Sequence, residues 1–125
     1  MNVVDSSGWL EYFSSGPNMN FFAPAIEDTA NLVVPSISIY EVFKCILQQR
    51  NESDALQAIV YMQDGSVIDL NTTIALAAAK ISVLFQIPMA DSIILATTRA
   101  YNAILWTQDS HLKDFSDVQY KEKPK

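Results

Sequence analysis

The sequence predicts an α/β domain, a three-layer sandwich with a central four- to five-stranded parallel sheet and helices on both faces. Short apolar runs such as Val3-Val4, Leu32-Val-Val and Ile104-Leu-Trp recur along the chain, each too brief for a helix. They alternate with longer segments whose apolar residues repeat at helical spacing, the pattern of βαβ units. At 125 residues the chain is long enough for one domain that buries about two-thirds of its unfolded surface. That domain is expected to span residues 1–120, followed by a basic tail over 121–125.

The elements follow in order. Met1–Val4 reads as a buried strand ending at Asp5, and Ser6-Ser7 offers caps for a helix through Phe13 that Ser14-Ser-Gly-Pro17 stops. Residues 18–29 form a second helical segment whose start Pro24 leaves open, and Leu32–Pro35 a second strand. Ser38-Ile-Tyr-Glu41 matches a capping box, opening a helix with Val42, Phe43, Ile46 and Leu47 on one face. A further helix runs from about Asn51 to Met62, and Val67–Leu70 makes a third strand. Asn71-Thr-Thr caps a helix whose inner stripe is Ile74, Ala77, Ala78, Ile81, Leu84 and Phe85. After Pro88 comes a helix to about Tyr101. Ala103–Thr107 is a strand, His111–Phe115 a turn, and Val118–Tyr120 a last strand.

Composition narrows the function classes. No apolar run approaches the ~18–20 residues of a membrane span, no basic leader is visible at the start, and Cys45 is the single cysteine. These features point to the cytoplasm. The net charge of −6 argues against a general nucleic-acid binder. Acids gathered at one site would lower the net charge without forbidding RNA there, and the tail lysines Lys121, Lys123 and Lys125 are free to move.

Four acids stand where such a fold concentrates ligands. Parallel sheets bind ligands beyond the carboxyl ends of their strands. Asp5 and Asp109 follow strands, whereas Glu41 and Asp91 lie in the first turns of helices that start at that edge. Each acid has a plainer reading. Glu41 closes a capping box, Asp91 complements a helix dipole, and Asp109 makes an Asx turn. Asp5 fits such a reading least, since a carboxylate ending a buried strand is costly unless paired. Two carboxylates ~5 Å apart repel by roughly 3 kcal/mol at an effective dielectric of about 20, so a cluster protonates in part or binds a cation. An all-oxygen set suits Mg²⁺ or Mn²⁺. Zinc is disfavoured, because His111 and Cys45 are the only His and Cys and are distant in sequence. His111 reads as a structural turn residue, and Cys45 as a small core residue.

The chain resembles the PIN-domain ribonucleases, in particular the VapC toxins of bacterial and archaeal toxin–antitoxin pairs. The resemblance rests on Val4-Asp5-Ser6-Ser7-x-Trp9-Leu-Glu-Tyr, Pro35-Ser-x-Ser-x-Tyr-Glu41-Val, Ala90-Asp91-Ser-Ile-Ile-Leu-Ala-Thr and Leu105-Trp-Thr107-x-Asp109-x-His-Leu, in that order. It implies a PIN-like fold with an acidic quartet at Asp5, Glu41, Asp91 and Asp109, supported by the hydroxyls of Ser6, Ser7 and Thr107. It further implies Mg²⁺- or Mn²⁺-dependent endonucleolytic cleavage of single-stranded or loop RNA, a cognate antitoxin and a homodimer. Family members often carry Asn where this chain has Asp109.

Two other readings compete. A receiver-type phosphorylation switch wants an acid pair after the first strand, whereas Asp5 is followed by serines. A PIN-like binding module without catalysis has no use for four clustered acids. As a partner surface, Phe21, Phe22, Tyr40, Phe43, Ile46, Leu47, Ile59 and Met62 exceed what a small interior needs, and an antitoxin segment or a second copy is expected to cover part of them.

Overall fold

Strands of three or four residues are unstable alone; here they gain order by parallel pairing between two helical layers. The computed structural model describes residues 1–124, so Lys125 of the anticipated tail lies outside the described residues. Strands β1 (Asn2–Val4), β2 (Leu32–Pro35), β3 (Ser66–Ile68), β4 (Ile104–Thr107) and β5 (Val118–Tyr120) form one sheet in the order β3-β2-β1-β4-β5. Every pairing is parallel.

Alternation along each strand divides the interior in two. Val3, Val33 and Leu105 face one core with α5 (Thr72–Phe85) and α6 (Met89–Ala100). Val4, Val34 and Trp106 face the other, covered by α1 (Ser6–Phe13), α2 (Met19–Glu27), α3 (Ser36–Gln49) and α4 (Glu52–Met62). Pro24 lies inside α2, which continues despite the missing N–H. No helix among the described residues is long and apolar enough to cross a membrane.

Three expectations change. The capping box is absent: α3 leaves β2 without a linker, so the helix starts at Ser36 with Pro35 at its cap. Ser38 is therefore inside the helix and fully buried, and Glu41 sits in the second turn. The inner stripe of α5 is shorter than its pattern. Ile74, Ala78 and Ile81 are buried, but Ala77 is exposed, and so are Leu84 and Phe85. Phe85 packs edge-to-face with Phe115, ring centroids 5.0 Å apart. Finally, most of the supposed excess of apolar residues is interior. Phe22, Ile46 and Met62 belong to the core, Phe21, Phe43 and Ile59 pack against it, and only Tyr40 and Leu47 are exposed.

Candidate functional site

The chain adds strands outward from β1 in one direction to β3, then returns to place β4 on the other side of β1. Such a reversal opens a crevice at the carboxyl ends of the two central strands. Val4 pairs with Trp106, so the next residue on each strand, Asp5 and Thr107, stands at the mouth of that crevice.

Asp5 is 3% exposed and heavily bonded. As N-cap of α1 it accepts the Ser6 N–H at Oδ1 (2.9 Å), while Oδ2 accepts the hydroxyls of Ser7 (2.8 Å) and Thr107 (2.9 Å). Burial raises its pKa, opposed by the Ser7 and Thr107 hydrogen bonds and reinforced by the charge of Asp109. Thr107 is shared: its hydroxyl also accepts the Asp109 N–H at 2.9 Å, tying β1 to the turn after β4.

The other acids come from separate elements. The second turn of α3 brings Glu41 to α1, where Oε1 accepts the Ser6 hydroxyl at 2.7 Å. Burial raises the Glu41 pKa, with the Ser6 bond opposing it and the charges of Asp5 and Asp109 adding to it. Asp91 occupies the first turn of α6, which starts at this edge because it runs down to β4. Its pKa is pushed up to about 7, chiefly by burial, then by the charges of Asp109 and Asp5 and by a hydrogen bond shared with Asp109. The structure thus brings all four acids to one edge, close enough for the charge of Asp109 to raise the proton affinity of Asp5, Glu41 and Asp91.

Among the described residues, no Lys or Arg forms an ion pair with any of the four. Buried or half-buried carboxylates facing one another without a cation form a donor set that fits a hard divalent ion. Asp5 and Asp91, with Glu41 and Asp109 beside them, are the residues that would hold it.

In sequence His111 reads as a structural turn residue, and the pattern does not single out Asn18 or Gln108 as site residues. His111 turns back toward the acids, with Nδ1 3.0 Å from Asp109 Oδ1 and 3.8 Å from Asp91 Oδ2. The Asp109-x-His111 spacing in a tight turn was the available signal. Asn18 and Gln108 are both buried polar residues. Asn18 Nδ2 donates to Gln108 Oε1 (3.0 Å) and to the Glu122 carbonyl (3.1 Å), and the Lys121 N–H donates to the Thr107 carbonyl (3.1 Å). The tail, expected to move freely, is therefore pinned beside the site through residue 122, because its backbone continues past β5 into these bonds.

Comparison with known proteins adds to this geometry. The PIN domain family model matches residues 3–118. None of the curated proteins matches the chain. Among solved structures, a toxin–antitoxin complex from Klebsiella pneumoniae superposes with a TM-score of 0.80 at 16% identity, covering 95% of this chain and 96% of the other. VapC20 of Mycobacterium tuberculosis, a sarcin–ricin loop cleaving toxin, gives 0.75 at 13% identity over 95% of this chain and 99% of that one. VapBC2 from Rickettsia felis, bound to a DNA fragment from its promoter, gives 0.74 at 12% identity over 97% of each chain. At these identities the likeness is one of fold.

Proposed function

The chain belongs to the PIN domain family, and from that premise we propose that it is a divalent-metal-dependent endoribonuclease, the toxin of a toxin–antitoxin pair. The observation that carries this reading is the convergence of Asp5, Glu41, Asp91 and Asp109 on one sheet edge without a Lys or Arg partner among the described residues. A divalent ion bound there supplies positive charge for a scissile phosphate and lowers the pKa of a coordinated water. Mg²⁺ and Mn²⁺ both suit the oxygen donors.

The chain's own residues divide the work. Asp5 is locked by Ser6, Ser7 and Thr107, so its carboxylate is held in place before any ligand arrives. Asp91, half-buried and facing Asp109, is the acid that changes charge state near neutral pH. Glu41 keeps Oε1 on Ser6 and leaves Oε2 to orient or deprotonate an attacking water. Lys123, just past the pinned part of the tail and lining the groove beside Ser7 and Gln108, offers a cation to the RNA backbone.

The test is cleavage of a panel of single-stranded and hairpin RNAs by purified protein. Cleavage is expected with Mg²⁺ or Mn²⁺, to stop in chelator, and to fall about 100-fold or more in Asp5→Asn and Asp91→Asn. Undiminished cleavage in excess chelator, or by both variants, removes the mechanism.

Two surfaces support the partners of this reading. A groove of about 870 Å³, lined by Leu10, Phe13, Ile46, Ala58 and Tyr61, runs to Ser7 and Gln108 at the site. A similar-fold structure is a toxin–antitoxin complex. We assign the groove to an antitoxin segment with apolar anchors and an Arg or Lys that reaches the acids. It lies among α1, α3 and α4, and of the eight residues expected to form a partner surface only Ile46 lines it. A second copy is assigned to the exposed residues of α5 and the start of α6, Leu76 (62%), Val83 (82%), Leu84 (74%) and Met89 (71%). Val83→Glu is expected to convert a dimer to a monomer in sedimentation equilibrium without altering the circular dichroism spectrum; a wild-type monomer at high concentration rules the dimer out.

A further inference from the structure

His111 lies in a short turn held at both sides. Asp109 caps the short helical turn Ser110–Leu112, its Oδ1 accepting the His111 backbone N–H at 2.9 Å, and the fully buried Leu112 anchors the far side. The His111 side chain is 63% exposed, yet its Nδ1 points back between two carboxylates, 3.0 Å from Asp109 and 3.8 Å from Asp91. Ligand atoms of Asp91, Asp109 and His111 all lie within 4.8 Å of one another. As a clamp on Asp109 the ring would be redundant, because the backbone N–H already fixes that oxygen. A nitrogen aimed at two acids from different elements is instead placed as a third donor.

We propose that His111 is a nitrogen ligand of the metal held at this edge, and that it makes the site prefer a first-row transition ion such as Mn²⁺ over Mg²⁺. The inference rests on the metal-dependent reading above and sharpens it. Mg²⁺ favours oxygen and gives up its waters reluctantly, whereas imidazole is a good ligand for transition ions. The expectation of an all-oxygen site follows from the four acids, and zinc is disfavoured because His111 and Cys45 are distant in sequence. His111 needs no cysteine, because two acids complete its set.

The test uses the full chain. Mn²⁺ and Mg²⁺ affinities are measured by calorimetry for wild type and His111→Ala. The Mn²⁺-loaded wild type is examined by electron spin-echo envelope modulation for a directly bound nitrogen. A nitrogen signal is expected in wild type and absent in the variant, with Mn²⁺ affinity reduced about tenfold or more and Mg²⁺ affinity little changed. His111→Asn, which keeps a polar side chain in the turn, should match His111→Ala. Absence of the nitrogen signal from Mn²⁺-loaded wild type overturns the proposal, as does an equal loss of affinity for both ions. If Mg²⁺-supported RNA cleavage persists in that case, the nuclease reading stands; failure of wild type to bind either ion removes both.

Discussion

Asp91 keeps a proton up to about pH 7 in the metal-free protein, because it is partly buried, faces Asp109 and Asp5, and donates to Asp109 when protonated. Its folded pKa lies above the unfolded value, so it favours folding below pH ~4 and that contribution is lost as pH rises through about 7. Asp91→Asn is therefore expected to be more stable than wild type at pH 8 in chelator, by on the order of 1 kcal/mol after allowance for solvent screening. The gap should close toward pH 4.5, and thermal melts of both proteins across that range measure it. Asp5 behaves differently. Its pKa is also raised by burial, but it accepts two hydroxyls and a backbone N–H. Asp5→Asn puts an amide donor where Oδ2 accepts from Ser7 and Thr107, and is expected to cost about 1 kcal/mol in the same melts.

At the scale of the element, α1 is the part most sensitive to a small change, because its first turn carries Asp5, Ser6 and Ser7. Gly8 lets this helix approach β1 and α2 closely: a Cβ there would lie 2.6 Å from the Phe22 ring and 2.7 Å from Val4 Cγ1. Helix propensity alone favours Gly8→Ala by about 1 kcal/mol. The clash outweighs it, since Phe22 and Val4 are fully buried and have nowhere to move. Gly8→Ala is expected to destabilise by about 1–3 kcal/mol in urea unfolding and to weaken RNA cleavage through displacement of the Asp5 cap. A variant as stable as wild type would show that α1 is held less tightly than these contacts require.

At the scale of the molecule, the two cores meet at one sheet and the four acids come from α1, α3, α6 and the turn after β4, so an ion held there would tie both helical layers to the fold. Ligand binding stabilises by mass action: at a concentration 100 times Kd the gain is about 2.7 kcal/mol, or roughly 10 °C in Tm. Mn²⁺ or Mg²⁺ is expected to raise Tm by that order at pH 8 and by less at pH 5, where Asp91 is protonated. Asp91→Asn should lose most of the increase at both pH values.

Element order alone determined the sheet class and the edge on which Asp5, Glu41, Asp91 and Asp109 stand, because strand ends and helix starts alternate in a parallel α/β chain. Their roles in metal binding belong to the proposal. Periodicity determined which side of α5 is apolar, but not where its cover stops: Leu84 and Phe85 continue the stripe beyond the reach of α6 and the sheet. Glu41 matched a local cap in sequence and found a partner 35 residues away instead, since the start of α3 is set by its join to β2. Strand order, the Asn18–Gln108 bonds that pin the tail, and the return of His111 onto two acids were decided only by tertiary structure. Each of these joins residues that are distant in sequence or turned together by a loop, and local pattern carries no record of such distances.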